Sequence, residues 1–230
     1  QGLAGKPVAD IRIDGAGKKV TRSDNCRVSD LSISSDNLTF TYEAKSLPYP
    51  IDTSYYDNEK HTQADALSVI PFMDEMNYEG LSVSGLSDGY YGLTIGGEFI
   101  GRFTARELER GINMALLQNT PQYKQAMKIR QMNEERWLKE RKMREFYWVE
   151  YNLMRKTGML WACNEAAVDT LRKYRPHDIF LQWNGALWLQ YMHKGIREDC
   201  VNEQQDLVNQ IYEQNKPIPL RIEIKKFTDL

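Results

Sequence analysis

Hydrophobic and polar residues alternate along much of the first hundred positions, a pattern typical of β-strands that bury one face. Gly96 and Gly97 separate two of the alternating runs and predict a hairpin, because a type I′ turn needs positive φ at both central residues. Short strands at this spacing predict a small β-sandwich. The alternating runs lie at 8–13, 27–34, 38–42, 81–84, 90–95 and 98–103.

The pattern changes to a helical period after Phe103. Thr104 and Glu107 have the spacing of a capping box, and Pro121 suits the first residue of a long helix. A final alternating run at 220–227 predicts a strand that returns to the sandwich, and the polar segment 46–63 predicts a long loop. The predicted helices lie at 105–117, 121–156, 164–174, 181–194 and 197–215, with one helical turn at 71–77.

The fold class predicted from these patterns is α+β. It consists of an N-terminal Ig-like antiparallel β-sandwich followed by a mainly helical segment with one long helix and a closing C-terminal strand. The predicted domains are a β-sandwich at 1–103, completed by the returning strand 220–227, and a helical segment at 104–216.

Charge and composition limit the classes of molecule that the chain is expected to bind. The 230 residues contain 30 Lys and Arg against 32 Asp and Glu, a net charge of -2 that predicts neither nucleic acid nor an anionic membrane as partner. No apolar run approaches the roughly 18 residues of a spanning helix, and the first residues lack the features of a signal peptide. Cys26, Cys163 and Cys200 form no CxxC pair, so buried free thiols are favoured, one disulfide stays open, and no metal or other cofactor is predicted.

Candidate catalytic residues are few. Ser87 lies in a G-x-S-x-G sequence, but the residues after it predict a strand, whereas a nucleophile elbow needs a helix there. We therefore predict a hairpin loop and an inert serine. His61, His177 and His193 are predicted to lie in a polar loop, in a turn and on an amphipathic helix, and we favour structural roles because no orienting partner is visible.

Aromatic residues are concentrated in the helical segment, where all five tryptophans lie between positions 137 and 188. The run from Phe146 to Tyr151 has the composition of a sugar-binding platform, but a helix that is apolar nearly all round is more often buried. We therefore expect a large apolar surface that a partner, or a second copy of the chain, covers.

One block of the sequence, from Leu81 to Ala126, resembles the segment that follows the catalytic domain in a group of bacterial GDSL-type (SGNH) hydrolases. Met114 stands where that group has leucine, a conservative difference. The matching motifs are Leu81–Leu86, Gly89–Ile95, Gly101–Leu108, Gly111–Leu117 and Thr120–Tyr123.

The resemblance implies the non-catalytic C-terminal portion of an SGNH/GDSL-type ester hydrolase, a carbohydrate esterase or acylhydrolase, that supports or flanks its catalytic domain. The family's Gly-Asp-Ser, Gly-x-Asn-Asp and Asp-x-x-His blocks are absent from the sequence, so no catalytic residue carries over and the chain alone is predicted to be inactive. The implied partner is the catalytic SGNH domain, in the same polypeptide or as a separate fragment, and the implied location is extracytoplasmic. Asn113, Trp137 and Trp148 are the predicted domain-interface residues.

Two alternatives stay open at this point. The chain would be a stand-alone carbohydrate-binding or protein-interaction module if its aromatic side chains form one exposed face. It would be an unrecognised enzyme if His177 or His193 lies at the centre of a catalytic site.

Overall fold

The structure, a computed structural model, describes residues 7–54 and 60–227. About 46% of the chain is helical and 26% is strand, which confirms the predicted α+β class with a long helix and a closing strand. The chain divides into two compact units. The first runs to Ile129 and resumes at Gln214, and the second is Arg130–Glu213.

Two sheets form the first unit. One has the strand order β2-β1-β5-β8, and the other has the order β3-β4-β9-β6-β7. The closing strand β9 is hydrogen-bonded between β4 and β6, so the end of the chain completes the middle of its sheet. The strands are β1 (Ala9–Asp14), β2 (Lys19–Asp24), β3 (Cys26–Ile33), β4 (Asn37–Ala44), β5 (Glu79–Ser84), β6 (Tyr90–Ile95), β7 (Glu98–Thr104), β8 (Ile112–Asn113) and β9 (Leu220–Lys226).

The core of this unit lies between the two sheets. Ile11 and Leu81 from one sheet and Phe40 and Ile222 from the other are fully buried in one cluster. These residues are the apolar members of the alternating runs, so the period of 2 correctly identifies the buried face. The pairing of β1 with β5 is parallel, in contrast to the antiparallel ladders around it.

Two local predictions at the end of the sandwich are confirmed. Gly96 and Gly97 both have positive φ, 59° and 86°, as the hairpin between β6 and β7 requires. The Thr104 side chain accepts the Glu107 amide, while the Glu107 carboxylate accepts the Thr104 amide, which forms the capping box of helix α2 (Ala105–Arg110).

The helix predicted over 105–117 is wrong in its second half. It ends at Arg110 because Gly111 follows with φ 94°, a conformation that cannot continue a right-handed helix. Ile112 and Asn113 then form the short strand β8, which pairs with β5.

Helices form the second unit. The long helix α3 (Pro121–Val149) begins at the predicted residue, within the first unit, continues into the second, and ends in a single π-helical turn, Glu150–Met154. Phe146, Val149, Leu171 and Trp188 lie in the core of the unit. The helices are α3 (Pro121–Val149), α4 (Glu165–Tyr174), α5 (Ile179–Tyr191) and α6 (Lys194–Gln214).

The remaining segments are irregular. In the segment predicted as a long loop, residues 46–54 and 60–62 contain no helix or strand, while 55–59 lie outside the described residues. The turn predicted at 71–77 is the short helix α1 (Phe72–Glu75). Among the described residues, no helix combines the length and apolar character needed to cross a membrane.

Candidate functional site

Ser87 has a structural role in the first unit. Its hydroxyl lies 3.1 Å from the Tyr91 hydroxyl and accepts a hydrogen bond from Lys226 Nζ at 2.7 Å. The segment joins β5 to β6, which belong to different sheets, so it is a loop between sheets rather than the predicted hairpin loop. No helix follows the serine, and none of its described partners is a histidine, so the elbow geometry is not present.

Cys163 and His193 form a thiol–imidazole pair in the second unit. Cys163 Sγ lies 3.3 Å from His193 Nδ1, and both residues are exposed. His193 lies in the turn between α5 and α6 rather than on the predicted helix, and the expectation that every thiol is buried is wrong for Cys163. Within 7–54 and 60–227 no residue is hydrogen-bonded to the other ring nitrogen, so the orienting group that a nucleophile–base pair needs is not in place.

A cleft of about 440 Å³ opens between the end of α3 and the start of α5 in the second unit. Its volume falls in the range of small-molecule sites. Trp148 forms an apolar wall, while Lys156 and His177 bring polar groups to the cleft. Asp178, also in its lining, uses one carboxylate oxygen to cap α5 by accepting the amides of Phe180 and Leu181. The cleft therefore has the composition of a binding site, and the Thr157 hydroxyl in its lining donates to the carbonyls of Leu153 and Met154 rather than to a histidine.

A buried carboxylate organises the end of α3. Glu150 is the first residue of the π-helical turn and is almost completely buried. Its Oε1 accepts the indole N–H of Trp188 at 2.8 Å, and its Oε2 accepts the backbone N–H of Trp161 at 2.8 Å. Both oxygens accept hydrogen bonds, as the polar atoms of a buried side chain require. Single π-helical turns are frequent at functional sites, which directs attention to the surface around Trp161.

A second buried carboxylate lies in the first unit. Glu79, the first residue of β5, accepts the Tyr42 hydroxyl at 2.8 Å and lies 3.3 Å from Gln122 Nε2. Burial raises the pKa of Glu79 to about 7, although the hydrogen bonds from Tyr42 and Gln122 oppose the rise. Burial and the neighbouring Glu79 in turn raise the pKa of Tyr42. The Glu79 carboxyl therefore titrates near neutral pH although it lies in a packed interior.

The three predicted interface residues lie in different settings. Asn113 is partly buried, and its carboxamide accepts the Glu79 amide at 2.9 Å and donates to the Met73 carbonyl at 2.9 Å. These bonds give Asn113 a structural role within the first unit. Trp137 is 46% exposed on α3, while Trp148 is partly buried and contacts Phe180 at a centroid distance of 5.3 Å. Their role as interface residues stays a prediction.

Sequence reasoning did not identify Glu79, Glu150 or the pairing of Cys163 with His193. Glu79 precedes an alternating run and Glu150 follows Phe146–Val149, so each carboxylate adjoins an apolar segment. This position next to an apolar segment could have indicated a buried carboxylate, because an acidic residue on the buried side of such a segment needs internal hydrogen-bond partners.

Comparison with known proteins links the helical unit to one family. Residues 127–216 match the family model described as the diltiazem deacetylase C-terminal helical domain. The whole chain is similar to the solved structure of a gut microbial diltiazem-metabolizing enzyme, with 36% sequence identity and a TM-score of 0.90. The alignment covers 99% of this chain and 51% of that protein, so the chain spans about half the length of the protein it matches. No curated protein matches the chain.

These matches correct the family expected from the sequence. The motifs between Leu81 and Ala126 led to an SGNH/GDSL accessory region, whereas the matches are to a diltiazem deacetylase C-terminal helical domain and a diltiazem-metabolizing enzyme. The motifs were misleading because strand, glycine-turn and capping-box patterns describe local structure that unrelated families share. The association with an ester hydrolase is supported by the deacetylase match.

Proposed function

We propose that this chain is the non-catalytic C-terminal portion of an ester hydrolase that removes short acyl groups, and that it flanks and supports the catalytic part. The observation that carries the proposal is the similarity over 99% of this chain to 51% of a gut microbial diltiazem-metabolizing enzyme. A likeness of that extent favours one shared role for the matched half, with the chemistry in the other half.

The geometry of the described residues supports a non-catalytic role. Ser87 is bonded to Tyr91 and Lys226, and the exposed pair of Cys163 and His193 lacks an orienting group. Among the residues that the structure describes, no cluster of three or more His, Cys, Asp or Glu side chains is placed to hold a metal ion. Acyl transfer needs a nucleophile, a base and donors for the oxyanion in one place, and this arrangement does not provide them.

The surface of the helical unit fits a supporting role. Trp137, Ile179, Phe180 and Trp183 are all exposed, and the rings of Phe180 and Trp183 lie in contact at a centroid distance of 5.5 Å. Exposed apolar patches on soluble proteins usually mark contacts with partners or ligands. We propose the catalytic part as the partner for the surface around Phe180 and Trp183. The extracytoplasmic location stays a prediction.

The purified chain is expected to show no ester hydrolysis of its own. With p-nitrophenyl acetate and with diltiazem, the rate of acid release should equal that of the heat-unfolded chain at the same concentration. Ser87→Ala and His193→Ala should leave this rate unchanged. The proposal would be contradicted if the chain hydrolysed either ester and the rate fell about a hundredfold in one of the variants. A drop of that size is expected when a catalytic group is lost.

The place of the chain in a larger hydrolase has a separate test. The intact mass of the native protein is expected to correspond to more than 230 residues, with the additional segment N-terminal to this chain and active toward acyl esters. A native product of 230 residues without esterase activity would favour a stand-alone binding module. The observation that favours such a module is a group of three exposed aromatic side chains, Tyr147, Tyr151 and Trp161.

A further inference from the structure

Three aromatic side chains form an exposed surface at the end of α3, which we call the aromatic platform: Tyr147, Tyr151 and Trp161. Their exposed fractions are 38%, 48% and 45%. Each tyrosine ring is perpendicular to the Trp161 ring, at an angle of 86° and a centroid distance of 5.9 Å. The expectation that the run from Phe146 to Tyr151 is buried throughout is therefore wrong at its two tyrosines.

The backbone holds Trp161 in a conformation that is costly for a tryptophan. Its φ is 60°, in the left-handed region that favours glycine and asparagine. The Glu150 carboxylate fixes this conformation by accepting the Trp161 N–H at 2.8 Å, and the Trp188 indole fixes the carboxylate from the other side. A buried side chain at the π-helical turn thus holds the left-handed backbone from which one partly exposed indole projects.

A polar pocket of about 550 Å³ adjoins the aromatic platform through Tyr147. Its lining includes Lys194 and Glu198, which pair with each other at 3.2 Å, so these two charges compensate each other. Arg197 donates to the carbonyls of Tyr191 and Met192 and is also engaged. The side chains of Asp199 and Asn202, also in the lining, form no hydrogen bond or ion pair with other described residues, so an acceptor and an amide are available to a ligand.

We propose that the aromatic platform and this pocket bind a neutral carbohydrate. A pyranose ring presents C–H groups on one face and hydroxyls around its edge, so it can stack on an indole or phenol ring and bond to polar groups beside it. The lining contains two basic and two acidic side chains, so its net charge is zero, which favours a neutral ligand over an anion or a cation. The inference stands on the geometry of the helical unit and does not depend on the hydrolase role.

The test is isothermal titration calorimetry of the 230-residue chain with cellohexaose, xylohexaose and mannohexaose. We expect saturable binding of at least one of these sugars. Trp161→Gly removes the ring and keeps a residue suited to positive φ, and it should weaken binding about tenfold or more, the scale of a lost aromatic contact. Tyr151→Ala, on the helix beside it, should weaken binding in the same direction without touching the Trp161 backbone.

Trp183→Ala is the matched control, because Trp183 is 66% exposed in the same unit and has no contact with the aromatic platform. It should bind the sugar as the parent chain does. Glu150→Gln tests the positioning role of the carboxylate and should weaken binding while circular dichroism reports an intact helical unit. Absence of saturable binding to all three sugars, or an equal loss in Trp183→Ala and Trp161→Gly, would overturn the proposal.

Discussion

Trp188→Ala is expected to destabilise the helical unit by about 3–5 kcal/mol, the range measured when a buried tryptophan is truncated. Trp188 is fully buried at the centre of that unit's core. Its indole N–H also donates to Glu150, so its removal leaves a cavity and takes one donor from a buried carboxylate. The measurement is urea unfolding followed by far-UV circular dichroism, in which the helical signal reports mainly on this unit.

Two variants separate the causes of this loss. Trp188→Phe keeps most of the side-chain volume and removes the indole N–H. Its free energy of unfolding should therefore lie between that of the parent chain and that of Trp188→Ala. Trp183→Ala removes an exposed tryptophan from the same helix and should change stability by no more than about 0.5 kcal/mol. If Trp188→Ala costs no more than Trp183→Ala, the packing described for this core is incorrect.

The sequence predicts the sandwich well because strand period and turn chemistry are local properties. The runs that form β6 and β7 and the glycines between them need no tertiary information. The edge strand β2 was missed because its sequence, Lys-Val-Thr-Arg-Ser-Asp, is largely exposed and polar and has no apolar alternation. Polar edges of this kind protect a sheet from further pairing, and they also remove the pattern by which a strand is recognised.

Local sequence patterns do not predict which strands pair when the strands are far apart in the chain. The parallel register of β1 with β5 joins residues such as Ile11 and Leu81, which are far apart in sequence. The same limit applies to the candidate sites. Cys163 and His193 are separated by 30 positions, and Glu150 reaches Trp188 across 38. Each of these residues has an ordinary local context, so only the folded chain reveals the contact.

The aromatic residues of the helical unit fall into a buried set and an exposed set, which the sequence does not distinguish. Their density predicts either a large buried core or a large apolar surface, and the helical unit contains both. Trp188 is fully buried, whereas Trp137, Trp161 and Trp183 are exposed. The sequence alone did not separate them, because the burial of each tryptophan depends on which side of its segment packs against other helices, and that packing is tertiary.

Glu79 is expected to make the stability of the sandwich fall as the pH rises from about 4.5 to about 7. Burial raises the pKa of Glu79 from its ordinary value of 4.5 to about 7. Below pH 4.5 the carboxyl is protonated in both the folded and unfolded states, so its contribution to stability is fully present. Between the two values the unfolded chain releases the proton while the folded chain retains it, which costs roughly 3 kcal/mol over the whole interval.

The contacts of Glu79 define the control for this prediction. Gln122 Oε1 is buried without a partner in the described part of the chain, so a half-turn of its carboxamide gives an acceptor for the proton on Glu79. In Glu79→Gln the new amide donates to that oxygen and its carbonyl accepts from Tyr42, while nothing titrates. Urea unfolding between pH 4.5 and 8 should therefore show a decline in the parent chain that the variant lacks, because all other ionisable groups are common to both. Parallel stability curves for the two proteins would mean that Glu79 is ionised in the folded chain throughout this range, with Tyr42 and Gln122 outweighing its burial.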